Sequence, residues 1–302
     1  MVSNIFQHPN WQKTLEETYG YKTKKFLSGS SEISIMEVNR IISKKYVAFP
    51  FSDWCFENEE IDINSLPKDK KFQIRGGICD ENFVTEKFLV HDISLVETED
   101  EMFMRFEGKT RRNIKKAIKN DLEVNVLTDK DSLKIFMQHN YETRRKHGLP
   151  PQPDSFFENF YKNIISEKMG ATVIVSQKGT PVSSSILMFW EENVYYKYGA
   201  SDPNYLNLRP NDFMFWELIK WAKAQGYKNL NLGKTDIDAE GLIRFKRSLG
   251  ATVKTINYYE YPKSEDSNDE GESMIKRLEP HIQKMPIGFL RFVGNSIYKY
   301  FG

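Results

Sequence analysis

Several features that mark secreted, membrane-spanning or metal-dependent proteins are scarce in this sequence. It has two cysteines, Cys55 and Cys79, in no C-x-x-C pair, which points to reduced thiols and not to a disulfide framework. Its five histidines, His8, His91, His139, His147 and His281, show no metal-ligand spacing, so no metal is expected. The longest apolar run, Ile186 to Trp190, falls far short of a bilayer span. The opening MVSNIFQHPNWQ has neither the basic nor the apolar region of a signal peptide. Charge of one sign is lacking too. Formal net charge is +1, so any contact with nucleic acid or a membrane must come from a local patch. Together these absences lead us to expect a soluble, cytoplasmic protein.

What is present suits two compact lobes or one large α/β domain: 302 residues, 39% hydrophobic and 14% aromatic. The first hundred residues mix short helix and strand signals with turns at Gly29, Pro67 and Gly76-Gly77. FEGKTRRNIKKAIKNDLEV (106–124) reads as a basic helix and then a strand. Ile114, Ala117 and Ile118 form its apolar stripe, while Lys109, Arg111, Arg112, Lys115, Lys116 and Lys119 fill the other directions. Leu133, Phe136, Met137 and Tyr141 share one face of a helix over 131–148, ended by Gly148 and Pro150-Pro151. A further helix covers Ser155 to Ile165. ATVIVSQ (171–177), VSSSILMFW (182–190) and VYYKYGAS (194–201) predict an antiparallel meander.

After the meander the pattern predicts a mostly buried helix over 211–226, capped by Asn211 or Asp212 and stopped by Gly226. A strand at 228–233, a short helix at 241–250 and a strand at 252–261 follow. KSEDSNDEGES (263–273) is acidic and polar and reads as a linker or exposed loop. The tail carries Phe289, Leu290, Phe292, Val293, Ile297, Tyr298 and Phe301 beside Arg291 and Lys299. It reads as an amphipathic segment that either docks on protein or makes peripheral membrane contact through 285–302.

The order β-β-β-α-β-α-β from Ala171 to Tyr261 resembles the later part of a GNAT fold, and three stretches resemble its FemABX-type branch. RRNIKKAIK (111–119) is similar to that family's R-x-N-[IV]-x-K-A helix. TRRKHGLPPQP (143–153) is similar to an arginine-bearing helix end that runs into a glycine-containing loop. The stretch from Tyr195 to Ala251 follows the family's Tyr-rich strand, proline loop, W-x-x-I-x-x-A helix, Gly-x-x-x-x-x-x-Gly (Gly226 to Gly233) and G-x-x-x-[FY]-K-x-x-x-G pattern. The resemblance implies an α/β (α+β) fold of two GNAT-like lobes, with mixed, largely antiparallel sheets flanked by helices. A degenerate N-terminal lobe would span 1–105 and the acyltransferase lobe 106–262, with 263–302 as acidic linker and tail.

Acyl transfer to an amine needs a neutral acceptor, close placement of the acyl carbon, and positive or hydrogen-bonding partners for the developing oxyanion and leaving group. A GNAT-type site opens a gap between central strands, expected here between 182–190 and 194–201. CoA-dependent members hold the pyrophosphate on a Gly-rich loop before the buried helix. The matching LNLRPNDFM (206–214) has Arg209 but no glycine, so the donor stays open between acyl-CoA and aminoacyl-tRNA. The resemblance places Lys246, with Phe245 beside it, near the donor ester and acceptor phosphates.

Arg144 and Arg145 are candidates to fork onto an acceptor phosphate or carboxylate, with HGLPPQP as one groove wall. Arg111, Arg112, Lys115 and Lys116 are candidates for a polyanion, tRNA or an undecaprenyl-type pyrophosphate. Strand alternation puts Tyr195 opposite the pair Tyr196 and Tyr198. Tyr198 and Tyr205 are candidate substrate contacts and Asp202 a candidate base. The leading expectation is an acyl or aminoacyl transferase acting on an amine of an envelope glycan, glycopeptide or lipid-linked precursor. A CoA-dependent N-acetyltransferase for an amino sugar and a non-catalytic partner in polysaccharide assembly are the alternatives.

Overall fold

A computed structural model describes residues 4–39, 43–262 and 279–300. The expected acidic linker at 263–273 lies outside them, as do 274–278 and Phe301. In chain order the elements are α1 (Pro9–Tyr19), β1 (Lys22–Ser28), β2 (Ser31–Asn39), β3 (Lys44–Val47), β4 (Phe56–Glu60), β5 (Phe72–Ile78), β6 (Val84–Ser94), α2 (Glu99–Arg105), α3 (Gly108–Lys119), β7 (Leu122–Leu127), α4 (Lys130–Lys146) and α5 (Asp154–Phe160). There follow β8 (Gly170–Gln177), β9 (Thr180–Trp190), β10 (Asn193–Ser201), α6 (Pro210–Ala224), β11 (Asn229–Asp236), α7 (Glu240–Ser248), β12 (Thr252–Tyr261) and α8 (Ile287–Ile297).

The chain forms two compact units that interleave in sequence: residues 1–88, 144–163 and 255–302, and residues 89–143 and 164–254. In the first, the strands run β1-β2-β3-β5-β12, with β4 also on β5. Trp11 anchors its core, fully buried with its ring edge-on to Phe6, Phe156 and Phe160. Its indole N–H is not left unsatisfied, because it donates to Ser52 Oγ at 2.8 Å.

The second unit carries strands in the order β7-β8-β9-β10-β11-β6. The expected meander forms as an antiparallel run through β7, β8, β9 and β10. One face is covered by α6, whose Phe213, Met214, Leu218, Ile219 and Ala222 pack with Val173, Val175, Leu187, Leu230 and Leu232. Burying a leucine or isoleucine of this kind stabilises by about 1.5–3 kcal/mol, so this face fixes where β10 and β11 lie under the helix. The expected cap of α6 is not formed. Arg209 occupies the cap position in the left-handed region at φ 66°, and Pro210 starts the helix. Asn211 turns back instead, its Oδ1 accepting from Ser183 Oγ at 2.9 Å and Ser201 Oγ at 2.8 Å.

Candidate functional site

The sheet of the second unit opens at one seam. The expectation of a gap between 182–190 and 194–201 is overturned: β9 and β10 stay paired from Trp190↔Asn193 to Ser183↔Ser201. The parting is one strand further on. β10 and β11 pair in parallel only at Asn193↔Asn229, Val194↔Leu230 and Tyr195↔Asn231, although both strands run on to Ser201 and Asp236.

Local chemistry on each strand accounts for this. On β11, Gly233 turns to φ 73°, a region open to glycine at little cost. Its N–H goes to the Asn231 Oδ1 at 2.8 Å, so that donor is satisfied without a ladder partner. Asn231 is itself fixed by donating from Nδ2 to Asp92 Oδ1 at 2.6 Å. On β10 the register slips between Tyr196 and Tyr198, a bulge that bends the strand and leaves a residue unpaired. The slip also corrects the expected tyrosine faces. Tyr196 follows Leu187 and Tyr198 follows Ile186 in the register, so the two side chains point to opposite faces. Tyr196 packs on Phe215 of α6 at 4.8 Å and Tyr198 lies 6.5 Å from Phe136 of α4.

Lys246 sits at the point where β11 leaves its neighbour. The side chain is 6% exposed, not on the solvent face of α7. Its Nζ donates to Gly233 O at 2.8 Å, Thr235 Oγ1 at 2.7 Å and Lys234 O at 3.3 Å. These oxygens include carbonyls of the parted strand, which would otherwise be buried acceptors without a ladder. These three oxygens are neutral and hold the ammonium next to the opened seam. Electrostatically such a group favours an oxyanion. Phe245, the next residue back, packs on Phe215 at 5.7 Å and serves the core.

Behind this lysine, on β6, His91 is fully buried and both ring nitrogens lack a hydrogen-bond partner. Burial, reinforced by the positive charges of Lys246 and Arg247, pushes the imidazole down to about 4, so it is neutral near pH 7. Beside α7 opens a cleft of about 530 Å³ lined by Leu89, Glu107, Ile237, Glu240, Ile243, Arg244 and Arg247. Lys246 is not part of its lining.

The N-terminus of α6 carries no side-chain cap. Pro210 supplies no N–H there, and Asp212 in the first turn accepts from Asn113 Nδ2 at 3.2 Å. Burial raises the Asp212 carboxyl while the Asn113 amide pulls it back. Asn113 thus braces α3 against α6, off the basic face. The segment leading into the helix, residues 206–214, lacks the glycines of a loop that wraps a diphosphate.

The other expected site residues are dispersed. Asp202 caps the short helix Pro203–Leu208, accepting from Asn204 N at 2.9 Å. Tyr205 in that helix packs partly on the main core, and Arg209 is exposed. Of the basic set, Arg112, Lys115 and Lys116 are exposed, while Arg111 donates to Met104 O at 2.7 Å. Arg144 and Arg145 belong to the first unit. Arg144 Nε donates to Pro150 O at 3.0 Å and a terminal nitrogen lies 3.5 Å from the Tyr298 hydroxyl. Arg145 is half-buried, and its carbonyl accepts from Gly148 N at 3.0 Å. Sequence reasoning missed Asn231, Thr235, Asp92 and His91, and had Gly233 only as the second glycine of the Gly-x-x-x-x-x-x-Gly pattern, without its turn. A glycine inside a strand pattern, as at Gly233, was the available signal.

A three-strand meander, a buried helix, a parallel strand that leaves its neighbour, and a short helix aimed at the split make up the layout of a GNAT-fold domain. Comparison with known proteins agrees. Residues 105–247 match the family of acetyltransferase (GNAT) domains. The lipid II:glycine glycyltransferase of Staphylococcus haemolyticus is 27% identical over 185 residues, 58% of this chain and 43% of that protein. The enzyme of the same name from Staphylococcus epidermidis is 22% identical over 263 residues, 65% of this chain and 62% of that one. The chain thus spans less than two thirds of the length of these curated relatives. The crystal structure of FemX superposes with a TM-score of 0.64 over 85% of this chain and 92% of that one, at 14% identity, a likeness of fold. Residues 105–247 are thus similar to GNAT domains, and the similarity to lipid II:glycine glycyltransferases and to the FemX fold runs in the same direction as the resemblance seen in the sequence.

Proposed function

We propose that the protein transfers an aminoacyl group from an aminoacyl-tRNA ester to an amine of a lipid-linked cell-envelope precursor. The observation that carries this is the Lys246 ammonium, buried at the opened β10–β11 seam. In the reaction the amine nitrogen forms a bond to the ester carbon, and the carbon–oxygen bond to the ribose breaks. The proton lost by the amine balances the one gained by the leaving hydroxyl. Lys246 stabilises the oxyanion or the departing oxygen. The start of α6, with Pro210, the Asp212 carboxyl in its first turn and no glycine before it, favours a donor without a diphosphate at that helix and so disfavours the acyl-CoA reading.

In this reading Arg111, Arg112, Lys115 and Lys116 attract the tRNA backbone. Residues 1–105 are the degenerate GNAT-like lobe, and Arg144 and Arg145 bind the acceptor. The protein works in the cytoplasm, with peripheral membrane contact through 285–302. The glycyltransferase names of the relatives support an acceptor of the lipid II type. The test is transfer of radiolabelled glycine from glycyl-tRNA to a short-chain lipid II analogue, alongside calorimetric titration with acetyl-CoA. Transfer by the wild type and its loss in Lys246→Met are expected. Micromolar binding of acetyl-CoA with no transfer from tRNA would overturn the reading.

A further inference from the structure

α8 is fastened to the first unit by one face, and the fastening decides what its other face presents. Leu290 and Gly294 are buried, as is Tyr298 just past the helix end. A Cβ on Gly294 would come within 2.3 Å of Pro151 O, so only glycine lets the helix close on that turn. Arg291 pairs with Asp154, and Asn295 Oδ1 accepts from Asp154 N at 3.2 Å. The Tyr298 ring packs against Phe51 at 5.1 Å and Tyr19 at 6.2 Å. These contacts fix rotation about the helix axis.

With that face down, Phe289 and Phe292 are 54% and 65% exposed, their rings stacked at 6.3 Å. Neither ring can reach the core without undoing the Gly294–Pro151 contact. Adjacent exposed aromatics of this size mark an interaction surface. Lys284 and Lys299 lie exposed at either end, and from Pro280 to Tyr300 the chain has no acidic residue. Among the described residues no helix is long and apolar enough to cross a membrane. A second copy of the chain is a poor occupant. In any two-fold pairing of α8 the lysine ends meet lysine ends, and like charges repel.

We infer that α8 is a docking helix for an anionic lipid surface, its two phenyl rings in the acyl–headgroup boundary and its two lysines at the phosphates. Its inner face also holds the 150–154 turn and, through Tyr298, the Arg144 guanidinium. Seating on lipid and placement of that turn are then one event. The inference deepens the peripheral membrane contact proposed above for 285–302, and its failure is distinguishable from failure of the transferase reading, because its test contains neither donor nor acceptor.

Full-length protein is sedimented with phosphatidylglycerol-containing vesicles and with pure phosphatidylcholine vesicles. Binding to the first and little to the second is expected, weakening as salt is raised. Phe289→Ser/Phe292→Ser should bind the anionic vesicles about tenfold less or worse with an unchanged Tm. Lys284→Glu/Lys299→Glu should lose the preference for anionic lipid. Equal sedimentation of wild type and the phenylalanine variant would overturn the inference. So would indifference to lipid charge. A wild-type dimer in light scattering that the phenylalanine variant converts to monomer would assign the face to a second copy instead.

Discussion

Two cationic regions of the unit built from residues 89–143 and 164–254 look alike in sequence and differ in the fold. RRNIKKAIK on α3 and RFKR on α7 are both basic runs on short helices. On α3 the charges of Arg112, Lys115 and Lys116 stand in solvent. On α7, Arg244 and Arg247 are exposed but Lys246 turns inward to three oxygens of β11. A solvated cation is screened and changes partners at little cost, whereas a buried one is held in place and acts through a lower dielectric. The density of charge is a poor guide to a site. One cation fixed beside an opened seam has more chemical leverage than three on a wet helix face.

The widest separation between the two regions should appear in Lys246→Met. If the ammonium stabilises the developing charge, transfer from glycyl-tRNA falls about 10²–10³-fold. Lys246→Arg should not restore it, since a planar fork does not fit an ammonium's three-point contact with Gly233, Lys234 and Thr235. A variant carrying Arg112→Ala, Lys115→Ala and Lys116→Ala that lost more transfer than Lys246→Met at low salt would reverse the comparison.

Next in size is an effect of acid on the buried side of α7. His91 is pushed from an ordinary 6.5 down to about 4. Between those values the unfolded chain binds a proton that the folded one does not, so stability rises with pH across the window and is lost as pH falls from 6.5 toward 4. The span corresponds to about 3 kcal/mol. His91→Leu should flatten the acid limb of a denaturant-midpoint versus pH curve and raise stability at pH 5, because it removes two buried, unpartnered nitrogens. An unchanged acid limb would mean that His91 is not the titrating group.

How legible these features were depended on how local their causes are. The meander, α3, α4 and α6 follow from period-2 and period-3.6 patterning within single segments, so each could be read from neighbouring residues. The opened seam could not be assigned to its strand pair. It depends on an Asn231 side chain replacing a ladder partner for Gly233, and on a slip of register at Lys197. Patterning of apolar residues records neither. The same slip defeats the alternation rule for Tyr196 and Tyr198. Nothing in the spacing of Lys246 between Arg244 and Arg247 marks it as the inward one, and it is buried because α7 returns over β11 thirteen residues back. Arg144 reads as a free fork, yet it reaches Pro150 and a tyrosine 154 residues away.

Gly233→Ala probes the seam with a smaller expected effect. The added Cβ is strained at φ 73° and should cost about 1–2 kcal/mol of stability. If β11 relaxes toward an ordinary strand, Lys246 loses its carbonyl partner and transfer falls along with stability. A variant that loses stability but keeps full transfer would separate the turn at Gly233 from the placement of Lys246.

The smallest expected effect belongs to α3. Removing Lys115 or Lys116 one at a time should shift stability by no more than about 0.5 kcal/mol, since both are exposed and away from the Asn113–Asp212 brace. Binding of tRNA should respond differently. Each lost phosphate contact lowers the slope of log affinity against log salt by about one and weakens all tRNA sequences alike. Filter binding across a salt series measures that slope. A slope indifferent to Lys115→Ala and Lys116→Ala would leave α3 as a solvated face only, and would move the search for the polyanion contact to the exposed Arg244 and Arg247 of α7, beside the cleft they line.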